Sequence, residues 1–154
     1  MFRLNRLTDY AVVVMSQMAH QRDRVRTALQ ISQESGLPLP TVAKLLNALA
    51  RDGLITSQRG ASGGYILSRP AGEISVAAII QALEGPIALT ACVTGSDEHC
   101  DVASLCPMHG NWNKVNGAIR AALDAVTLAD MAMTPLDFSE LPASPKREAS
   151  AATG

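Results

Sequence analysis

The stretch of sequence that decides the fold is residues 40–68, which read PTVAKLLNALARDGLITSQRGASGGYILS. Its first part, from Pro40 to about Asp52, carries apolar residues at the spacing that places them on one face of an α-helix. These residues are Val42, Leu45, Leu46 and Leu49. Gly53 ends the helix, and two runs typical of β-strands then flank a glycine-rich segment, Leu54–Ser57 before it and Tyr65–Ser68 after it. The stretch predicts a helix followed by a β-hairpin.

A shorter helix is predicted directly before this one. Thr27 and Gln30 have the spacing of a capping box, in which two side chains bond free backbone N–H groups at a helix start. The helix that they open ends at Gly36, and a turn over residues 37–40 leads into the next helix. Two helices joined by a short turn and followed by a hairpin predict a mainly α fold, a winged helix-turn-helix with a two-stranded wing.

The rest of the chain predicts three more helices. They are a first helix from Thr8 or Asp9 to His20, a helix capped by Ser75 that ends at Gly85, and a long helix over residues 112–130 capped by Asn111. Trp112 is expected to anchor the long helix on the core. One face of this helix is apolar and is either core or the seam of a coiled-coil-like dimer: Val115, Ile119, Ala122, Leu123 and Val126.

The predicted organisation has four parts. They are a winged-helix DNA-binding domain over residues 1–85, a cysteine-bearing loop over 86–110, a dimerisation helix with its extension over 111–138, and a disordered tail over 139–154. The tail is predicted from its high content of Ser, Pro and Ala, which cannot bury enough apolar surface to fold.

Charge is distributed unevenly along the chain. The 154 residues carry 13 Lys and Arg against 14 Asp and Glu, a formal net charge of −1. Residues 1–70 hold nine of the basic and four of the acidic residues, whereas residues 71–154 hold four and ten. A basic half beside an acidic half is expected when only one half faces phosphate, which favours a DNA-binding role for the predicted winged helix.

DNA contacts are expected on the outer face of the helix from Pro40 and at the tip of the hairpin. Thr41 and Asn47 can bond base edges, Lys44 can bond guanine or phosphate, and Arg59 can reach a phosphate or the minor groove. The predicted contact set is Thr27, Pro40, Thr41, Lys44, Asn47, Arg59, Gly60, Ser62 and Gly63. The alternatives are a surface helix of an all-α bundle and a hairpin whose glycines only tighten its turn. A phosphate loop is disfavoured because no Lys-Ser/Thr pair follows.

All three cysteines lie within residues 92–106, on a segment that reads as a polar loop. Clustered thiols on a loop are typical of ligands for a soft metal or an iron–sulfur cluster, whereas core cysteines occur singly on apolar faces. Seven residues separate Cys92 from Cys100 and five separate Cys100 from Cys106, wider than the paired spacing of most zinc sites. The fourth ligand would be His109 or, within the loop, His99, Glu98 or Asp97. The plain alternative is three unpaired thiols.

The sequence also bears on location and catalysis. No run approaches the ~20 apolar residues of a membrane span, and no convincing cleavage pattern follows the N-terminus, so we expect a cytoplasmic protein. In a reducing cytosol an odd number of thiols favours metal or redox chemistry over a disulfide framework. Catalysis on a small-molecule substrate is not expected, because Cys106 and His109 form at most a pair with no third orienting group.

Several motifs, in this order along the chain, resemble the Rrf2 family of winged-helix regulators, which includes the iron–sulfur regulators IscR, the nitric-oxide sensor NsrR and the iron regulator RirA. They are Leu7–Ala11, Pro38–Leu46, the wing Arg59–Tyr65, Arg69–Pro70 and Ile79–Gly85, followed by the cysteines. The resemblance covers residues 1–132. Glu84–Thr90 and Leu128–Met131 are most similar to the branch that regulates SUF-type cluster assembly.

The resemblance implies a homodimer in which the long helix crosses its partner and each winged helix binds half of a near-palindromic operator in double-stranded DNA. It also implies that Cys92, Cys100 and Cys106 hold a 2Fe–2S or 4Fe–4S cluster, completed by His109 or by Asp9 of the partner subunit. Such a protein would be a regulator, expected to be a repressor, whose operator affinity changes with the state of the cluster. The alternatives are a cluster-free thiol redox switch on the same fold and a zinc-structural interaction protein.

Overall fold

A computed structural model describes residues 3–96, 99, 101, 105–108 and 110–132. Within these residues the chain forms six α-helices, a 3-10 turn at Ala71–Glu73 and one two-stranded antiparallel sheet. The elements are α1 (Arg6–His20), α2 (Ala28–Ser35), α3 (Leu39–Arg51), β1 (Ile55–Gln58), β2 (Gly64–Leu67), α4 (Val76–Glu84), α5 (Asn111–Ala125) and α6 (Leu128–Met131). None of the helices in the described ranges has the length and apolar character that crossing a membrane requires. The predicted disordered tail, residues 139–154, lies outside the described residues.

The predicted winged helix-turn-helix is confirmed. The hydroxyl of Thr27 accepts the N–H of Gln30 at 3.2 Å, and the side chain of Gln30 accepts the N–H of Thr27 at 2.9 Å, so the capping box is complete. Gly36 ends α2 in the left-handed conformation, with φ of 72°. The first helix begins earlier than predicted, because the side chain of Asn5 accepts a hydrogen bond from the N–H of Leu7 and caps it.

The core lies between α1, α3 and α4 and is aliphatic. The inner face of α3 is fully buried, as its periodicity predicts, and α6 adds one leucine to the same core. Its large buried side chains include Met15, Ile31, Leu45, Leu49, Ile79 and Leu128. Each such side chain contributes roughly 1.5–3 kcal/mol on leaving water. Aliphatic packing therefore holds the fold, in a chain that has only two Phe, two Tyr and one Trp.

The wing is joined to the start of α2 by backbone pairing. Strands β1 and β2 pair antiparallel, with Gln58 opposite Gly64 at the turn end of the hairpin. The N–H of Arg26 donates to the carbonyl of Tyr65 at 3.0 Å, and the N–H of Tyr65 donates to the carbonyl of Arg26 at 2.8 Å. Gly64 lies so close that a Cβ on it would be 2.5 Å from the Arg26 carbonyl oxygen. The wing thus holds a fixed position relative to the helix-turn-helix.

The long C-terminal helix is shorter than predicted. The cap is Gly110 and not Asn111, which is the first helical residue, and α5 ends at Ala125. The last residues of the predicted span form the separate helix α6 after a break of two residues. The prediction of one helix over 112–130 is therefore wrong.

Backbone hydrogen bonds to the start of α4 explain the break. Val126 is extended (φ −95°, ψ 124°), and its carbonyl accepts the N–H of Val76 at 2.8 Å. The N–H of Leu128 donates to the carbonyl of Ile74 at 2.7 Å. These bonds form an isolated bridge beside Thr127, whose side chain then caps α6. Pairing with a distant segment overrides the local helical preference of these residues.

The apolar face of α5 is largely uncovered in the single chain. Trp112 is 39% exposed, so the prediction that it anchors the helix on the core is wrong. Val115 and Val126 are 45% and 38% exposed. Only Leu123 of this face packs against the small cluster of buried residues on α4. The exposure favours the dimer-seam alternative over the core alternative.

We expect Gly64→Ala to lower the free energy of unfolding by about 2 kcal/mol, because the added methyl would overlap the Arg26 carbonyl and force the wing away from α2. Gly72→Ala is the matched control, since nothing lies within 4 Å of a Cβ at that position. Urea unfolding of both variants measures the difference. Equal stability of the two would contradict a fixed wing.

Candidate nucleic-acid interface and cysteine loop

The outer face of α3 carries the predicted contact residues of the helix-turn-helix. Pro40, Lys44 and Asn47 are exposed and line one groove of about 650 Å³ between α3, α1 and the end of α4. Arg51 closes one end of this groove, and its guanidinium donates to the carbonyl of Ala82 at 3.2 Å. This hydrogen bond holds α3 against α4 and so helps to fix the position of the outer face of α3.

The first turn of α3 is apolar. Pro38 and Pro40 have no N–H, and the N–H groups of Thr41 and Val42 both bond the carbonyl of Pro38, at 2.9 and 3.1 Å. Leu39 at the tip is 42% exposed. A helix start with so few free N–H groups is a poor phosphate site, whereas an exposed leucine suits the thymine methyl group of the major groove. Sequence reasoning missed Leu39, although an apolar residue outside the buried stripe is a visible signal.

The hairpin places the remaining predicted contact residues at its tip. Arg59, Gly60 and Ser62 are exposed, and Gly63 is half-buried, with its N–H bonded to the Gly60 carbonyl at 3.0 Å. A Cβ on Gly63 would lie 2.6 Å from the carbonyl oxygen of Gln58. The glycines thus make a tight turn, and the same turn presents Arg59 to solvent.

Thr27 is exposed at the start of α2 and lies beside the wing, because the Arg26–Tyr65 backbone pairing directly precedes it. Arg26 itself is only 4% exposed, and its Nη1 lies 2.9 Å from Oε2 of Glu34. Arg24 approaches the same carboxylate at 3.8 Å, but half of its side chain is exposed. Sequence reasoning included Arg26 only in the count of basic residues over 1–70, since nothing in the local pattern indicates that it is buried.

The structure describes two of the four predicted cluster ligands. Cys92 and Cys106 are half-buried, and Sγ of Cys92 lies 3.2 Å from the hydroxyl oxygen of Thr90. Cys100 and His109 lie outside the described residues. Asp9, the alternative ligand, is exposed in the first turn of α1. Within the described ranges, no three His, Cys, Asp or Glu side chains are grouped closely enough to hold a metal ion.

The donors that the described part of the loop offers fit an iron–sulfur cluster in kind. Both thiols are partly accessible, and sulfur is the donor that a soft metal prefers. Val93, next to Cys92, is 4% exposed and fixes this part of the loop on the protein. The thiol of Cys92 is therefore held at a defined place.

Side-chain amides of α5 hold the start of the cysteine loop. Asn116 is 7% exposed, donates to the carbonyl of Ile87 at 2.9 Å and accepts the N–H of Leu89 at 3.1 Å. Asn113 accepts the N–H of Thr94 at 2.7 Å. Sequence reasoning missed both asparagines. The available signal was weak: two asparagines three residues apart lie on one helix face.

Comparisons with known proteins identify the family. The model of the Rrf2 family, described as "Iron-dependent Transcriptional regulator", matches residues 4–134. The chain belongs to the Rrf2 family. It is 32% identical over 130 residues to the HTH-type transcriptional regulator IscR of Yersinia pseudotuberculosis and to that of Serratia proteamaculans, covering 84% of this chain and 78% of each relative. Its relatives are named as transcriptional regulators, so the chain is a winged-helix, DNA-binding transcriptional regulator and not an enzyme.

Solved structures agree with the family assignment. CymR, the global cysteine regulator of B. subtilis, matches with a TM-score of 0.65 and 28% identity, over 86% of this chain and 97% of CymR. IscR of T. potens matches with a TM-score of 0.62 and 28% identity, over 93% and 94% of the two chains. The oxidized form of Staphylococcus aureus CymR matches with a TM-score of 0.61 and 30% identity, over 86% and 98%. These solved structures therefore share the overall fold of this chain.

We expect Glu34→Gln to lower the free energy of unfolding by about 2 kcal/mol, because it leaves the buried guanidinium of Arg26 without a counter-charge. Arg24→Ala removes the other partner of the same carboxylate and should change stability by less than about 0.5 kcal/mol, since that pair is long and exposed. Chemical denaturation of the two variants separates the roles. A larger loss in Arg24→Ala would overturn the assignment of Glu34 as the counter-charge that the buried Arg26 requires.

Proposed function

We propose that this Rrf2-family regulator senses an iron–sulfur cluster and represses genes of SUF-type cluster assembly. The observation that carries the proposal is the position of Cys92, a half-buried thiol on a segment that is hydrogen-bonded to α5 and follows directly on α4 of the winged helix. A group bound at Cys92 can thus affect both the DNA-binding part and α5. In this proposal residues 1–85 bind DNA, 86–110 bind the cluster and 111–138 form the dimer.

DNA is read by the groove face of α3 and by the wing. Lys44 bonds a phosphate, Asn47 and Thr41 bond base edges, and Arg59 reaches the backbone or the minor groove beside the site. The other contacts are Thr27 and Pro40 at the helix starts and Gly60, Ser62 and Gly63, whose backbone lets the wing approach closely. Because one winged helix covers only one half-site, a near-palindromic operator requires two copies of the chain.

The second copy is proposed to pack along α5. Trp112, Val115 and Val126 expose apolar surface there that a partner's α5 would bury. A symmetric pair of helices presents the same surface to each other, which is the usual arrangement in a two-fold dimer. The uncovered face of α5 thereby supplies the two-fold axis that a near-palindromic operator needs.

The cluster is proposed to be of the 2Fe–2S or 4Fe–4S type, held by Cys92, Cys100 and Cys106. His109, or Asp9 of the partner subunit, completes the set, and a nitrogen or oxygen ligand is weaker than a thiolate, so the cluster is easier to lose. When bound, the cluster supplies a centre that oxidant, nitric oxide or iron shortage can alter. The description of the family as iron-dependent and the similarity to proteins named IscR support this assignment.

A second candidate function is a cluster-free thiol switch on the same fold. It is favoured by the similarity to Staphylococcus aureus CymR, of which an oxidized form has been solved. The hydroxyl of Thr90 lies 3.2 Å from Sγ of Cys92 and can stabilise a thiolate there. Oxidation of that thiol would then replace cluster loss as the signal.

Anaerobically purified protein should contain either about two irons and two acid-labile sulfides per chain or about four of each. Cys92→Ala and Cys106→Ala should lose both, because each removes a ligand. Two of each would make His109→Ala the next variant, and four of each would move the search to Asp9. Purified protein with no iron and three titratable thiols would contradict the cluster and leave the thiol switch.

Operator binding should respond differently to two substitutions on α3. Asn47→Ala should weaken the free energy of operator binding by about 1–3 kcal/mol and reduce the sequence preference at one base pair of the operator. Lys44→Ala should weaken binding to all sequences alike and reduce the slope of log affinity against log salt by about 1. Lys114→Ala, an exposed lysine on α5, is the control. Fluorescence anisotropy at several salt concentrations measures all three, and an unchanged salt slope in Lys44→Ala would exclude the phosphate contact.

A further inference from the structure

Asn116 is a buried polar side chain on a helix that is otherwise exposed or half-buried. It is the one residue of α5 classed as buried, at 7% exposure. Its Nδ2 donates to the carbonyl of Ile87, and its Oδ1 accepts the N–H of Leu89 two residues later. The side-chain amide therefore pairs with the loop backbone as a neighbouring peptide group would. Breaking the hydrogen bonds of a buried amide leaves polar groups unpaired and therefore costs free energy.

Asn113 makes a second bond of the same kind. It lies three residues earlier, on the same face of α5, and accepts the N–H of Thr94 at 2.7 Å. Cys92 lies between the two attachment points, which are at residues 87–89 and at Thr94. A displacement of the backbone at Cys92 must therefore strain or break a bond to α5 on one side or the other.

The opposite end of α5 is attached to the start of α4 by the backbone bond from Val76 to Val126 and by apolar contact. Leu123 packs against a small cluster formed by Val76, Ala77, Ile80 and Ile87. This contact depends on burial and not on the direction of any bond, so it tolerates small changes of the loop backbone. The side chains of the two asparagines, by contrast, can form their hydrogen bonds only when the backbone of residues 87–94 has its present conformation. The polar attachment is specific to the loop conformation, and the apolar attachment is not.

We infer that Asn116 and Asn113 are positioning residues that transmit the state of the segment around Cys92 to α5. When the segment keeps its present backbone conformation, the three hydrogen bonds hold the first half of α5 in one orientation. When a change at Cys92 displaces the backbone, these bonds are lost and the first half of α5 turns on the contact at Leu123. The inference rests on the proposed function in that the signal arises at Cys92, whether the signal is a cluster or a modified thiol.

The coupling can be measured without any cluster. In a Cys100→Ser, Cys106→Ser background, the thiol of Cys92 is alkylated with iodoacetamide, which adds a carbamidomethyl group to the half-buried sulfur. Hydrogen exchange of the α5 amides is then compared before and after alkylation. With both asparagines present, alkylation should speed exchange in the first half of α5 about ten-fold. In Asn116→Ala, exchange there should already be fast and should change less than two-fold on alkylation.

Two further variants keep the result interpretable. Asn113→Ala removes an exposed side chain, is expected to fold normally and should reduce the effect of alkylation partway. Leu123→Ala weakens the apolar contact with the cluster that includes Ile87 but removes none of the three side-chain amide bonds, so it should speed basal exchange but preserve the response to alkylation. If Leu123→Ala abolishes the response as fully as Asn116→Ala, the asparagines only dock the helix. If alkylation leaves α5 unchanged in the parent, the inference is wrong.

Operator affinity supplies the functional readout. In the parent protein, the ratio of operator affinities in the cluster-loaded and cluster-free forms should be about ten-fold, within the usual range of allosteric coupling. Asn116→Ala should bring this ratio close to one while iron content stays as in the parent. If the parent holds no iron, the proposed cluster fails, and the alkylation experiment still decides the inference. A ratio in Asn116→Ala equal to that of the parent would overturn it.

Discussion

The arrangement of the molecule depends on two backbone hydrogen bonds between the start of α4 and the end of α5. Val76 donates to Val126 at 2.8 Å and Leu128 donates to Ile74 at 2.7 Å. They end α5, bring Leu128 into the core and place the last turn of α5 beside the first turn of α4. Asn116 lies beside Ile87, just past the other end of α4, so α5 runs antiparallel to α4. The cysteine loop is then the connection between two helices that are already side by side.

A loop in this position has few ways to move. Its first part is bonded to α5 at Leu89 and Thr94 and is buried at Ile87 and Val93. A change in the loop can therefore be accommodated mainly by a change in how α5 lies on α4, because the aliphatic core beneath α4 is closely packed and deforms little. At the C-terminal end of α4, where the loop begins, the carboxylate of Glu84 accepts the N–H of Asn5 at the start of α1. The loop is thus in contact with α5 and, through α4, with the winged helix.

The parts of the fold that the sequence predicts are those with local signals. The capping box at Thr27, the left-handed Gly36 and the apolar stripe of α3 each depend on residues within a few positions of one another, and each is confirmed. The break at Val126 depends on pairing with a segment fifty residues away, and the exposure of Trp112 depends on how α5 packs on the rest of the chain. Neither leaves a periodic pattern in the sequence. The cysteines were visible as candidates because they cluster in sequence, whereas Asn116 becomes informative only once its partners at Ile87 and Leu89 are known.

The two candidate signals, cluster loss and thiol oxidation, converge on one physical event. Either changes what is bonded to Sγ of Cys92, and either must move a backbone that is bonded on both sides to one face of α5. The signals differ in how many thiols they engage, since a cluster links Cys92 to ligands further along the loop while oxidation can act on one sulfur alone. A regulator built in this way can respond to a different chemical signal at Cys92 while the contacts between the loop and α5 stay the same. If the inferred transmission from the loop to α5 does not depend on the group that triggers it, the similarity of this chain both to proteins named IscR and to CymR in an oxidized form is physically consistent.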